Sequence, residues 1–96
     1  MNQADKTKSA KQKSLAIQFT ISAPADVQVL PRVLEYFVLR DLTPSWVSAK
    51  VDGENIRIVV QHPEIDAQLA ELIAEKMRAA VLIEHVDLTT ISQQGA

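Results

Sequence analysis

The dipeptide Asp52-Gly53 constrains this chain more than any other feature. It stands between two runs that alternate apolar and polar residues, and an Asp-Gly link takes the positive φ angles that a tight antiparallel turn needs. Residues 46–51 and 55–61 therefore read as a hairpin. In the first strand Val47, Ala49 and Val51 share one face and Trp46, Ser48 and Lys50 the other; in the second, Ile56, Ile58 and Val60 oppose Arg57, Val59 and Gln61. One face of the hairpin is apolar and needs a cover.

The flanking segments supply it. Leu15, Ile17, Phe19 and Ile21 recur at every second position, the period of a strand with one buried face. After Ser22-Ala23-Pro24-Ala25-Asp26, the residues Leu30, Val33, Leu34, Phe37, Val38 and Leu42 fall at helical spacing, with Asp26 as the expected N-terminal cap and Pro31 in the first turn, where its missing N–H costs nothing. Asp41 is placed to close that helix in the left-handed conformation. Pro63 and Glu64 are expected to open a second helix with Ile65, Leu69, Leu72, Ile73 and Met77 as its apolar stripe; Glu64, Asp66 and Glu71 lie early in it and Lys76 and Arg78 late, as the helix dipole favours. Residues 81–91 read as a last strand, with Val86 and Leu88 inward and His85 and Asp87 outward. The order β-α-β-β-α-β predicts an α+β, ferredoxin-like domain, a four-stranded antiparallel sheet with both helices on one face.

Ninety-six residues allow one such domain. Residues 1–14 hold Lys6, Lys8, Lys11 and Lys13 against Asp5, with no large apolar residue after Met1, and read as a disordered basic tail of net charge +3. Residues 15–91 form the domain, and residues 92–96 are expected to fray. Because the whole chain carries −2, the part after the tail carries −5, which argues against a nucleic-acid partner. The central strands also lack outward aromatic residues for base stacking. With no cysteine, disulfides, thiolate metal sites and cysteine nucleophiles are excluded. No apolar run is long enough for a membrane span, so the composition predicts a soluble cytoplasmic protein.

No catalytic constellation emerges. His62 and His85 are the two histidines, and without a placed carboxylate they make a weak metal site; His85 and Asp87 share a strand face as two solvated residues would. No serine has a neighbour that would activate it. No cofactor, metal or catalytic residue is therefore expected. Trp46 stands out, because a lone Trp on the outward face of an edge strand serves either as a ligand platform or, with Ser48, as part of a dimer interface.

The segments Leu30-Pro31-Arg32-Val33-Leu34-Glu35-Tyr36-Phe37 and Arg40-Asp41-Leu42-Thr43-Pro44, with the hairpin running into Asn55-Ile56-Arg57-Ile58, resemble an ACT domain. More narrowly, with residues 81–88 and the closing Thr89-Thr90-Ile91-Ser92-Gln93-Gln94, they resemble the short small regulatory subunits of acetolactate synthase. The resemblance implies a non-catalytic regulatory module that pairs side by side through edge strands and helices. It also implies an amino-acid effector bound at the dimer interface near the first loop, and a thiamine-diphosphate-dependent catalytic subunit as partner. Carried over, the ligand-binding residues are Ala25, Asp26, Val27, Gln28 and Val29, with Thr43, Ser45 and Trp46 nearby. Effector-binding members carry glycine in that loop, which lets backbone N–H groups approach the ligand carboxylate. This loop has none, and Pro24 removes a donor. The alternative is thus a protein-interaction domain that keeps the fold and has lost its effector.

Overall fold

A computed structural model describes residues 14–91. The element order is β1 (Ser14–Pro24), α1 (Val29–Val38), β2 (Trp46–Asp52), β3 (Asn55–Asp66), α2 (Ala67–Arg78) and β4 (His85–Thr90). The strands form one sheet in the order β2-β3-β1-β4, and every neighbouring pair is antiparallel. This is the ferredoxin-like arrangement expected from the alternation of periods. The predicted basic tail and frayed end lie largely outside the described residues. Among the described residues, no helix is long and apolar enough to cross a membrane.

Alternation in the central strands sets the core. Ile17, Phe19, Ile21 and Ala23 of β1 are buried beside Ile56, Ile58 and Val60 of β3, and the helices close over them with Val29, Val33 and Phe37 of α1 and Ala70, Ile73, Ala74 and Met77 of α2. Phe19 meets Phe37 edge to face, with ring centroids 5.0 Å apart. The turn at Gly53 has φ +67°, as the hairpin requires. At the end of α1, Asp41 takes φ +55°; its N–H donates to the Val38 carbonyl, and the Leu42 N–H donates to the Phe37 carbonyl. That pair of bonds is the Schellman closure, with aspartate where glycine is usual.

Four expectations need correction. Pro63 and Glu64 do not open the second helix. They stay in β3 and together oppose the single Ala16, as the register shift between Leu15 and Ile17 records. A bulge accommodates a proline that cannot donate to the ladder, and the strand then runs on to Asp66. Asp66 is the actual N-cap, its carboxylate accepting from the Leu69 N–H at 3.0 Å, and Ile65 is buried as a strand residue. Asp26, in turn, does not cap α1. Its carboxylate accepts from the Gln28 N–H at 2.8 Å and its carbonyl from the Val29 N–H, so it shapes the turn before the helix, while Gln28 occupies the cap position without a side-chain bond. The last strand begins at His85, because residues 79–84 make the return from α2 and leave Val81 fully exposed. Finally, the helical stripes are narrower than their spacing suggested, since Val38 and Leu72 face solvent.

Arg78 ties the end of α2 to β4. The Arg78 guanidinium donates twice to the Val86 carbonyl, at 2.8 and 3.1 Å, and pairs with Glu75 at 3.3 Å. Removing the Asp66 cap is expected to cost about 1 kcal/mol of unfolding free energy, whereas removing the exposed Asp26 turn bond should cost less. Urea denaturation of the Asp66→Ala and Asp26→Ala variants gives that ordering directly.

Among the described residues His62 is the one buried polar side chain, 2% exposed, and its ring lies 4.8 Å from that of Phe37 and 6.1 Å from that of Phe19. Its Nε2 has no hydrogen-bond partner among the described residues. Burial pushes its pKa below the ordinary value of 6.5, since the charged ring cannot be solvated there. The unfolded chain therefore binds a proton near pH 6.5 that the folded chain refuses. Above that pH the ring is neutral in both states and adds no pH dependence, and stability falls as pH drops below it, by up to about 1.4 kcal/mol per pH unit. Denaturation midpoints at pH 5.5 and 7.5 are expected to differ less in a His62→Leu variant than in the native chain. An equal difference would place the acid sensitivity elsewhere.

Candidate functional site

Two surfaces of the sheet are available to partners, and the ladder fixes what each displays. On the face away from the helices, β1 presents Gln18, Thr20 and Ser22, and β3 presents Arg57, Val59 and Gln61, in the cross-strand pairs Gln18–Gln61, Thr20–Val59 and Ser22–Arg57. Gln61 donates to Gln18 at 2.8 Å, and Gln18 donates to the Thr20 hydroxyl at 3.2 Å. The strands of this open face carry one aromatic ring, Trp46 on β2, which is 56% exposed and paired with Gln61. A stacking surface built on the two central strands is therefore not present.

The histidines do not meet. His62 pairs with Ile17 on the helix side of the sheet, whereas His85 pairs with Ser22 on the open side. Among the described residues, no group of three metal-ligating side chains comes together. His85 and Asp87 do share the open face of β4, both exposed and two residues apart, without a hydrogen bond between them among the described residues.

The edge strand β2 is the most exposed element of the fold. Its open-face residues are Trp46, Ser48 and Lys50, as the alternation predicts, and only Ser48 is half-buried. On the helix side, Val47 and Val51 remain 41% and 60% exposed, and Ala49 between them is exposed as well. The reason lies in α1. Its residues Tyr36 and Leu39 face the turn at Ala80–Ile83, where an apolar groove opens, so its opposite flank, Leu30, Leu34 and Val38, is turned toward the β2 side. Leu30 packs against the core, but Val38 is 69% exposed. Val38 and the helix-side row of β2 thus stay exposed on this side of the fold, and no other element among the described residues covers them.

The residues expected to bind a ligand fall into two groups, and the topology separates them. Ala25, Asp26, Val27, Gln28 and Val29 follow β1 at the end of the sheet that also holds the Asp52–Asn55 turn, and the Ala25 N–H donates to the Glu54 carbonyl at 2.9 Å. Thr43, Ser45 and Trp46 precede β2 at the other end, where the Ser45 N–H and hydroxyl both donate to the Gln61 carbonyl. Trp46 and Asp52 stand six residue steps apart along β2, roughly 20 Å of strand. Within one chain the two groups form no common pocket. The first loop has also spent several of its donors, because the Ala25, Gln28 and Val29 N–H groups bond within the fold. Val29 is fully buried as the first residue of α1.

Sequence reasoning missed the groove beside the Ala80–Ile83 turn. Its signal was present in the apolar run Val81-Leu82-Ile83, but strand periodicity assigned that run to the sheet.

A protein-family model described as an ACT-like domain matches residues 9–95, a span that begins inside the segment read as tail. No curated protein matched the chain. ACT domains are typically regulatory rather than catalytic, and the β-α-β-β-α-β order, the antiparallel sheet and the two helices agree with that family's fold. The chain belongs to the ACT-like domain family.

Proposed function

We infer that this chain is a non-catalytic regulatory module that works as a homodimer, joined through β2, and biases the activity of an enzyme partner. The exposed apolar row of β2 carries this reading. An edge strand seven residues long, bare on both faces, is a template for another strand, and its helix-side row of Val47, Ala49 and Val51 offers apolar area that water covers in a single copy. A two-fold copy of β2 paired about Ala49 would set Val47 opposite the partner's Val51 on the helix side. On the open side, Ser48 would meet the partner's Lys50 and Trp46 the partner's Asp52. No like charges oppose one another in that register.

The same pairing reunites the divided ligand residues. Trp46, with Thr43 and Ser45 before it, would stand beside the turn of the partner that anchors the first loop through the Ala25 N–H. A ligand site built this way is incomplete in one chain and complete in two. An amino acid is the effector that the likeness to small regulatory subunits of acetolactate synthase suggests, and a thiamine-diphosphate-dependent catalytic chain the enzyme partner. Coupling between them requires that the effector bind two states of the complex unequally.

A specific observation favours a second reading, an interaction domain without an effector. The loop that would cradle a carboxylate contains no glycine, and its Ala25, Gln28 and Val29 N–H groups are already bonded. Pairing through β2 does not depend on that loop, so the two readings differ only in ligand binding.

Analytical ultracentrifugation tests the dimer. A Trp46→Glu substitution sets a carboxylate where the partner's Asp52 is expected and should lower the dimer fraction, while an unaltered dimer would place Trp46 outside the contact. Amide-resolved NMR titration of the dimer with valine, leucine and isoleucine tests the effector. Shifts confined to residues 25–28 and 43–46 support the regulatory site; their absence with every amino acid, in an intact dimer, favours the interaction domain.

A further inference from the structure

The groove between α1 and the turn after α2 lies on the flank of α1 opposite the proposed dimer contact, so it remains open whether or not the chain pairs. Its volume is about 430 Å³, within the ~300–1,000 Å³ range of clefts that hold small molecules. The floor is the buried edge of the core at Val29 and Ile83, and the walls are Tyr36 and Leu39 on the helix and Val81 on the turn. Leu39 is 74% exposed and Val81 fully exposed, which leaves two large apolar side chains at the rim of an apolar cleft.

The polar groups at this rim are specific in kind. Arg32 and Glu35 stand one helical turn apart on the groove side of α1, and among the described residues neither takes part in an ion pair or a side-chain hydrogen bond. Arg40, by contrast, spends its guanidinium on the Tyr36 carbonyl at 3.0 Å. Across the groove, the Val81 and Leu82 N–H groups have no hydrogen-bond acceptor among the described residues, whereas those of Ala80 and Ile83 are bonded within the turn. A guanidinium fork and unpaired backbone donors border the same apolar space.

We propose that this groove is a ligand site of its own, one in each chain, for a small carboxylate with an apolar body. Arg32 holds the carboxylate as a two-pronged donor, the Val81–Leu82 turn adds backbone N–H groups, and the aliphatic body lies against Tyr36, Leu39 and Ile83. Glu35 sets which acid is preferred. It repels a plain carboxylate and accepts from an ammonium beside it, so a 2-amino acid is favoured over the 2-oxo acid of the same skeleton. Neither the first loop's free donors nor the partner's Trp46 is needed.

Two probes separate the sources of this chemistry. L-leucine and 4-methyl-2-oxopentanoate share the carboxylate and the branched body and differ only in the group at the second carbon. NMR titration of the full-length chain with each, at millimolar concentration, should give saturable shifts at Arg32, Tyr36, Leu39 and residues 81–83, with leucine the tighter ligand. The surface substitution Arg32→Ala should weaken binding of leucine roughly tenfold or more. Glu35→Gln should narrow or reverse the preference between the two acids. Shifts confined to residues 25–28 and 43–46 would overturn this site while supporting the one at the dimer interface. No saturable shift at the groove with either acid, or leucine binding unchanged in the Arg32→Ala chain, also overturns it.

Discussion

The packing of Phe19 against Phe37 holds the two layers of this domain together. Phe19 lies at the middle of β1, the strand with a neighbour on each side, paired with Val60 of β3 and Leu88 of β4. Phe37 projects from the last turn of α1, a helix of ten residues that would be marginal alone. The edge-to-face contact fixes where that helix crosses the sheet, and the Schellman closure just beyond it turns the chain out toward β2. Everything that makes β2 exposed follows. With α1 anchored over the central strands by Val29, Val33 and Phe37, no element among the described residues covers the helix side of the edge strand.

Much of this arrangement was legible from residue order alone, because each strand that was read correctly has a strict period of two and each helix has at least three apolar residues on one face. The turn at Gly53 and the left-handed Asp41 were equally legible, since both answer to backbone sterics. The errors fall where local chemistry is ambiguous. Proline followed by an acidic residue opens helices often, but Pro63-Glu64 here forms a bulge because Ile65 still finds a place opposite Leu15 in the sheet. Val81-Leu82-Ile83 has the composition of a strand, yet α2 must reverse direction before β4, and the reversal uses those residues. The burial of His62 could not be read from its type. Its position on the core face follows from alternation with Ile58 and Val60, and that pattern was available.

The functional residues were less legible than the fold for a topological reason. A loop after β1 and a segment before β2 are close in sequence, separated only by α1, but a helix that crosses the sheet delivers the chain to the opposite end. Proximity along the chain therefore became a separation of roughly 20 Å. Only a symmetry operation can bring two such groups together. The groove was missed for the complementary reason, since its two walls, α1 and the Ala80–Ile83 turn, are far apart in sequence and share no motif.

Three faces of α1 have three different surroundings, and this limits how any signal can pass through the domain. Val29, Val33 and Phe37 are buried against the sheet, Arg32, Tyr36 and Leu39 border the groove, and Leu30, Leu34 and Val38 lie on the flank away from it. A helix is stiff along its axis and side chains on opposite flanks do not touch, so a molecule in the groove influences the β2 edge only by changing the position of α1 as a unit. The ring of Phe37, packed in one cluster with those of Phe19 and His62, resists such a shift, and close-packed interiors change between discrete arrangements rather than by continuous deformation. Regulation through this fold therefore depends on whether α1 has a second position over the sheet that a ligand or partner can favour, and the differential affinity for those two positions sets the largest response available.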